Sequence, residues 1–456
     1  MSRRVWAVAV LVFASRLMFL GPGYGADADA WLVAWAGRSI ALSGHYEASR
    51  LPGYPLHEFV TALIWRWGAW PANALTAAFS AAAAACFAIV LRRLGSRDDV
   101  LGALALASAP VVYLASVQAM DYTWGLAFAL GALALALDRR TAWAGVLAGL
   151  AIGCRITWGA FLVPLSLALA HATPRGTRAR SVVTFCAIAL AIAAVAFAPV
   201  VITYGAAFFR FYEHAYPSPL VVAKHATLDL FGVVGLVAIA TAIAWRLMRR
   251  ERGESASLEL GSPLLVTAWV AGIMLYLVAF VRLPIDAAYL IPIVPLVLLV
   301  LAEFLGRRAF QFVCLALIVS PWLFDVSRPD RYDAPPSAHE LARFAGGKLA
   351  LGVQGPLLAE QARRRERVRI LERAFVRVRS LAGETIVVAW DWLPEIRVRL
   401  GDTREGDARY VYGITLAELR EARSRGTRVA YLPGADWATE QNQGFDLASE
   451  GAEALK

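Results

Sequence analysis

Asp27 and Asp29 stand two residues apart, just after the first apolar run, in "GPGYGADADAWLVAWAGRSIALSGHYEASRLPGYPLHE" (21–58). The same stretch closes on Arg50, Tyr54, His57 and Glu58. They are carried by a turn in which Pro52 and Pro55 stop any helix and Gly53 permits a tight bend. Only one of two acids spaced i, i+2 can cap the helix that follows, which leaves the other for different work. A carboxylate can take a proton from an attacking hydroxyl, and a cation can stabilise a leaving phosphate as its charge develops. His57 beside Glu58 also admits a divalent metal, although a hydrogen-bonded pair is the commoner fate of such neighbours.

Three further stretches add groups of the same kind. "SVQAMDYTWG" (116–125) places Asp121 and Tyr122 between two apolar runs. "FVRLPIDAAYLIPIVPLVLL" (280–299) places Arg282 and Asp286 ahead of Tyr289, Pro292 and Pro295. An arginine at a lipid boundary suits a phosphate, because its guanidinium makes paired charge-assisted bonds; snorkelling to the interface explains it equally well. "FFRFYEHAYPSPLVVAKHA" (208–226) supplies Arg210, Glu213, His214, Lys224 and His225.

The elements that must position these groups are hydrophobic. The chain has 456 residues, of which 59% are hydrophobic and 18% charged, a balance that excludes an ordinary soluble protein. Apolar runs recur from about 5–21 to 308–323, many long enough to cross ~30 Å of hydrocarbon. They imply roughly ten to thirteen spans. The net charge of +10 comes largely from arginines that flank these runs, where orientation signals belong, so it does not argue for nucleic acid. Cys86, Cys154, Cys186 and Cys314 all lie within apolar segments and read as small buried hydrophobes.

Arginine-rich turns at 91–97, 138–140, 174–180, 246–253 and 306–308 should face the cytoplasm, with an uncleaved first helix whose N-terminus is inside. The loop 22–55, the turn near 117–122, the segment 203–226 and the turn at 282–286 then lie outside. That assignment requires 56–93 to cross once. It also requires 142–171, which carries Gly153 and Arg155, to cross an even number of times. "DADAWLVAWAGRSIALSGHY" should lie as an amphipathic stretch at the interface.

The composition changes after "SPWLFDVSRPDRYDAPPSAHE". Residues 1–325 form the membrane module, 326–337 a linker, and 338–456 a small extracytoplasmic domain. There "KLALGV", "TIVVAW", "RYVYGI" and "TRVAYLP" read as short strands alternating with helices, which suggests a parallel, Rossmann-like sheet. No glycine-rich phosphate loop follows any of them. The arginine-rich helix at 362–380 fits either lipid headgroups or water.

In the order "ADADAW…SGHYEASRLPGYPLHE", "LRRLG", "GLAIGCRITWGAFLVPL" (149–165) and "RLPIDAAYLIPIVPL" (282–296), the chain resembles the polytopic GT-C glycosyltransferases. That group includes protein O-mannosyltransferases, the aminoarabinose transferase of lipid A and RgtA/B/C/D-like enzymes. The resemblance covers about residues 1–325 and implies inverting transfer of a hexosyl or pentosyl group. The donor would be a polyprenyl-phosphate sugar, and the acceptor a lipid, glycan or protein at the outer face of the plasma (inner) membrane. It implies a first-loop base, Asp29 or Asp27 with Asp29 preferred. It matches Asp121 to a later acid, and Arg282 and Tyr289 to the last motif. It leaves open a divalent metal at His57 and Glu58. It assigns no role to the C-terminal domain. A flippase or transporter of lipid-linked sugar, or a polysaccharide polymerase or ligase, is the alternative.

Overall fold

The computed structural model describes residues 3–209, 216–248, 262–328 and 340–455. The chain opens with α1 (Arg3–Arg16), α2 (Ala28–Ser43), α3 (Pro55–Ile64), α4 (Ala69–Arg93), α5 (Asp99–Ser108), α6 (Pro110–Ala115) and α7 (Tyr122–Leu137). It continues through α8 (Thr141–Cys154), α9 (Leu162–Ala172), α10 (Arg178–Tyr204), α11 (Pro219–Ala226), α12 (Leu228–Met248), α13 (Pro263–Arg282), α14 (Ile293–Phe304) and α15 (Arg307–Val319). Among the described residues four segments, Ala69–Arg93, Arg175–Phe209, Leu228–Met248 and Pro263–Arg282, are long and apolar enough to cross a membrane. Val183 and Val195 on α10 and Val278 on α13 are 66%, 74% and 65% exposed. Apolar faces of that extent belong against lipid, and the chain reads as an integral membrane protein.

Several apolar runs are broken where the sequence suggested single spans, so fewer full-length helices form than the ten to thirteen expected. Ala109, ahead of Pro110, leaves the helical region (φ −54°, ψ 127°) and separates α5 from α6. Arg155 is extended (φ −159°, ψ 125°) and divides 142–171 into α8 and a second segment, Ile156–Ala172. A stripe of small residues fixes α8 on α10. A Cβ on Gly145, Gly149 or Gly153 would lie 2.9 Å from Phe185 O, 2.5 Å from Ile192 Cβ or 3.0 Å from Ala196 Cβ. Close backbone approach of this kind holds helices together where lipid removes the hydrophobic drive.

The two ends of the bundle differ in chemistry. At one end Arg92 pairs with Asp99 (2.6 Å), Arg93 with Asp138, and Arg307 with Asp98 (3.0 Å). These pairs draw the turns at 91–99, 138–140 and 306–308 onto one face. At the other end Asn73, near the start of α4, donates to Leu20 O (2.6 Å) and Gly23 O (2.9 Å). The path through α3 therefore stays at that end, and α4 runs from it to the end where Arg93 pairs with Asp138. Arg155 meets Asp121 there too, so α8 ends, and the segment after it begins, at that same end.

The C-terminal part holds two sheets. β1 (Leu323–Ser327), β2 (Glu340–Phe344) and β3 (Leu349–Gln354) form an antiparallel sheet in the order β1-β3-β2. β4 (Thr385–Val388), β5 (Arg404–Glu405), β6 (Ala408–Val411), β7 (Arg428–Tyr431) and β8 (Glu453–Ala454) form the second, in the order β5-β6-β4-β7-β8. β4 runs parallel to both β6 and β7. Helices α16 (Pro356–Ser380), α17 (Leu393–Leu400), α18 (Leu416–Ser424) and α19 (Ala435–Gln443) complete it. The parallel reading thus applies to "TIVVAW", "RYVYGI" and "TRVAYLP". "KLALGV" pairs antiparallel with β1 and β2, because the chain just before and just after the linker segment supplies its partners. Most of 326–337 lies outside the described residues.

Candidate functional site

Arg155 stands at the centre of the polar end. It lies in the break between α8 and the helix that follows, is 6% exposed, and has a fixed partner. Its Nε donates to Asp121 Oδ2 (2.7 Å) and its Nη2 to Asp121 Oδ1 (3.0 Å), a bidentate pair in which the acid has no exposure. Three phenol rings surround the guanidinium: Tyr122, Tyr54 and Tyr289, with centroids at 4.1, 4.6 and 5.4 Å. Their faces offset part of the cost of burying a cation. Gly125, one turn into α7, makes room behind this cluster; a Cβ there would lie 2.0 Å from Trp158 Nε1.

Tyr122 links the pair to a second acid by donating to Asp286 Oδ2 (2.9 Å). Asp286 also accepts from Ala288 N (2.9 Å). Burial, with the Asp27 carboxylate nearby, pushes the Asp286 carboxyl up from its ordinary value, so a proton is held there more readily than on a solvated aspartate.

The first loop reaches the same place. Asp27 caps α2, accepting from Asp29 N (3.0 Å), and remains exposed. Asp29 is left for other work and pairs with Arg50. Arg50 stacks over Tyr54 at 4.8 Å, and its side chain is 9% exposed. Its Nε and Nη2 are buried without a hydrogen-bond partner. A buried guanidinium with two idle donors is costly unless an anion or ordered water completes it. His57 is 2% exposed and stands edge-on to Trp124 (4.8 Å, 90°), with Nδ1 unpartnered.

Glu58 does different work. Its oxygens accept from Tyr46 OH, Ser49 N (2.7 Å), Ser49 Oγ (2.6 Å) and Tyr54 N (3.1 Å). It anchors the turn that presents Arg50 and Tyr54, and neither oxygen is spare. Among the described residues no group of three or more His, Cys, Asp or Glu is gathered as a metal site would need. His57 and Glu58 as arranged do not fit a metal.

Of the residues singled out in the sequence, Asp27, Asp29, Arg50, Tyr54, His57, Asp121 and Tyr289 come together around Arg155. Arg282 ends α13 and is exposed, and no side-chain hydrogen bond or ion pair joins it to another described residue. Arg210, Glu213 and His214 lie outside the described residues. Lys224 and His225 turn to Asp229 (2.5 and 2.6 Å). The central cation was visible in the sequence only as an arginine interrupting an apolar run.

Fold and site together define an integral membrane helical bundle with a buried, mixed-charge cluster at one end. Comparison with family models finds no match, and none of the curated proteins matches. Among solved structures, the crystal structure of ArnT from Cupriavidus metallidurans in the apo state is similar, with a TM-score of 0.45 at 17% identity. The likeness covers 68% of this chain and 58% of that one, so the chain spans less than two thirds of ArnT.

Proposed function

We propose that the chain is a membrane glycosyltransferase, moving a sugar from a polyprenyl-phosphate donor to an acceptor at the polar end of the bundle, the extracytoplasmic side. The observation that carries this reading is Arg50. It is nine-tenths buried, has two unpartnered donors, lies beside an acid, and sits at the end of lipid-facing helices. A lipid phosphate is the anion that reaches such a place with its tail still in hydrocarbon.

In this reading Asp29 accepts the acceptor's proton, with Asp27 as the other candidate. The acceptor oxygen forms its bond to the anomeric carbon on the face opposite the phosphate. The bond from that carbon to the phosphate oxygen breaks, and its electron pair leaves on polyprenyl phosphate. Arg50 Nε and Nη2 stabilise the developing charge, with Tyr289 alongside and Arg282 at the lipid boundary. Asp121 keeps Arg155 in place, so the field of a second cation is present before substrate arrives. Asp29 pairs with Arg50 until the phosphate takes over the arginine.

The test is purified protein in liposomes loaded with polyprenyl-phosphate sugars. Release of polyprenyl phosphate with a product of inverted anomeric configuration supports the proposal. Movement of the sugar lipid between leaflets without cleavage would make the chain a flippase and overturn it.

A further inference from the structure

Arg364 lies on α16, in the C-terminal part, some 340 residues from the loop it touches. Its side chain is 2% exposed. All five of its N–H groups are used, and every acceptor is a backbone carbonyl. Nε donates to Pro22 O (3.0 Å). Nη1 donates to Phe19 O (3.0 Å) and Val117 O (3.1 Å). Nη2 donates to Leu20 O (3.2 Å) and Gly23 O (2.8 Å). Gln361, one turn earlier, donates to Phe19 O (2.9 Å). Burial brings the guanidinium down to about 10, which leaves it charged at neutral pH.

The carbonyls come from two loops. Gly23 lies four residues before Asp27, and Val117 four residues before Asp121. The loops also bond directly, Ala119 N to Tyr24 O (2.9 Å), and Trp31 Nε1 ties Gly25 O (3.0 Å) to α2. Without a cation among them, several carbonyl dipoles would point at one another. A lysine ammonium has three donors and no planar fork, so it cannot reproduce the five-point contact.

We propose that Arg364 is a positioning residue: it clamps the 19–23 loop to the 117 loop, and thereby sets the spacing of the Asp27–Asp29 stretch from Asp121. The C-terminal part is then a working component of the site, a role that rests on the proposed transfer reaction. The same part touches α2 again through α17, where Arg397 lies over Trp35 (5.8 Å) and Arg399 over Trp31 (5.9 Å).

The experiment uses the full chain in lipid nanodiscs, as wild type, Arg364→Lys and Arg364→Met. Amide hydrogen exchange and transfer kinetics are both read. The expected result is faster exchange confined to 19–29 and 117–121, with β4–β7 and the Asp98–Arg307 end unchanged. The kcat should fall about 100-fold, the cost of misplacing reacting groups by ~1 Å, with KM for the donor within about twofold. Unchanged exchange in those stretches, or loosened loops with full kcat, would overturn it. Global loss of protection in both variants would also overturn it, since Arg364 would then be a general stability residue. If the wild type transfers no sugar, the sugar-transfer reading fails; the exchange pattern still decides whether Arg364 clamps the two loops.

Discussion

Asp121 and Arg155 face each other through two parallel hydrogen bonds, 2.7 and 3.0 Å long, with the acid wholly buried and the arginine nearly so. Removing either partner leaves an uncompensated buried charge, a cost of about 3–5 kcal/mol. Asp121→Leu and Arg155→Met should therefore each lower the unfolding midpoint strongly in detergent. The double variant should recover much of the stability while remaining inactive. A double variant no more stable than the singles would show that the pair is not coupled.

Asp27→Asn with Asp29→Asn removes both first-loop aspartates and keeps their shape. Asparagine still caps α2, so the fold should survive with little change in melting temperature. Transfer should fall to background. Retained transfer would remove both acids from the base role. Single variants then divide the work, and the larger loss is expected at Asp29, whose side chain is not needed for the cap.

Glu58 accepts four hydrogen bonds, so it acts through structure. Glu58→Ala leaves Ser49 and Tyr54 donors unpaired and should cost about 1–3 kcal/mol, read as a lower melting temperature. Its effect on rate should track loosening of the turn at Arg50. Chelator treatment of the wild type should leave transfer unchanged. Loss of activity on chelation, restored by a divalent ion, would return His57 and Glu58 to the metal question.

Asp325 lies on β1, and burial pushes its carboxyl up to about 6 against the pull of Lys224 and Arg363, with Asp229 adding to the rise. Between its unfolded value near 4 and about 6 the folded protein holds the extra proton. Stability contributed by this group is thus present at low pH and lost as pH rises through that window. Asp325→Asn should raise the melting temperature at pH 7 and flatten its pH dependence between pH 4 and 6. A variant less stable than wild type at pH 7 would contradict this.

The sequence made part of this arrangement readable, and physical reasons divide what was visible from what was not. Two acids at i, i+2 announced that one would cap and one would be spare, and Asp27 and Asp29 divide in that way. The break at Arg155 was legible because an arginine cannot sit idle in an apolar run. Its partner was not, since Asp121 is 34 residues away and no local period connects them. Glu58 looked like a ligand because its neighbour is histidine. Its real partners, Tyr46, Ser49 and Tyr54, come from a turn whose shape no spacing rule supplies. In the C-terminal part, β-type runs were visible, but their alternation with helices could not show that β3 pairs with strands on either side of a linker. The arginine of α16 looked like one more member of a charged face. Only the fold shows that Arg364, like Arg367 one turn later, is turned inward.

The central claim is that Arg50 receives a lipid phosphate, and binding of polyprenyl phosphate to wild type and Arg50→Met in nanodiscs tests it most directly. Charge-assisted hydrogen bonds lost at a buried site cost about 1.5–3 kcal/mol, so the dissociation constant should rise about ten- to hundredfold in a variant that remains folded. Equal affinity in the two proteins would contradict the account, because the idle donors of Arg50 would then serve no phosphate.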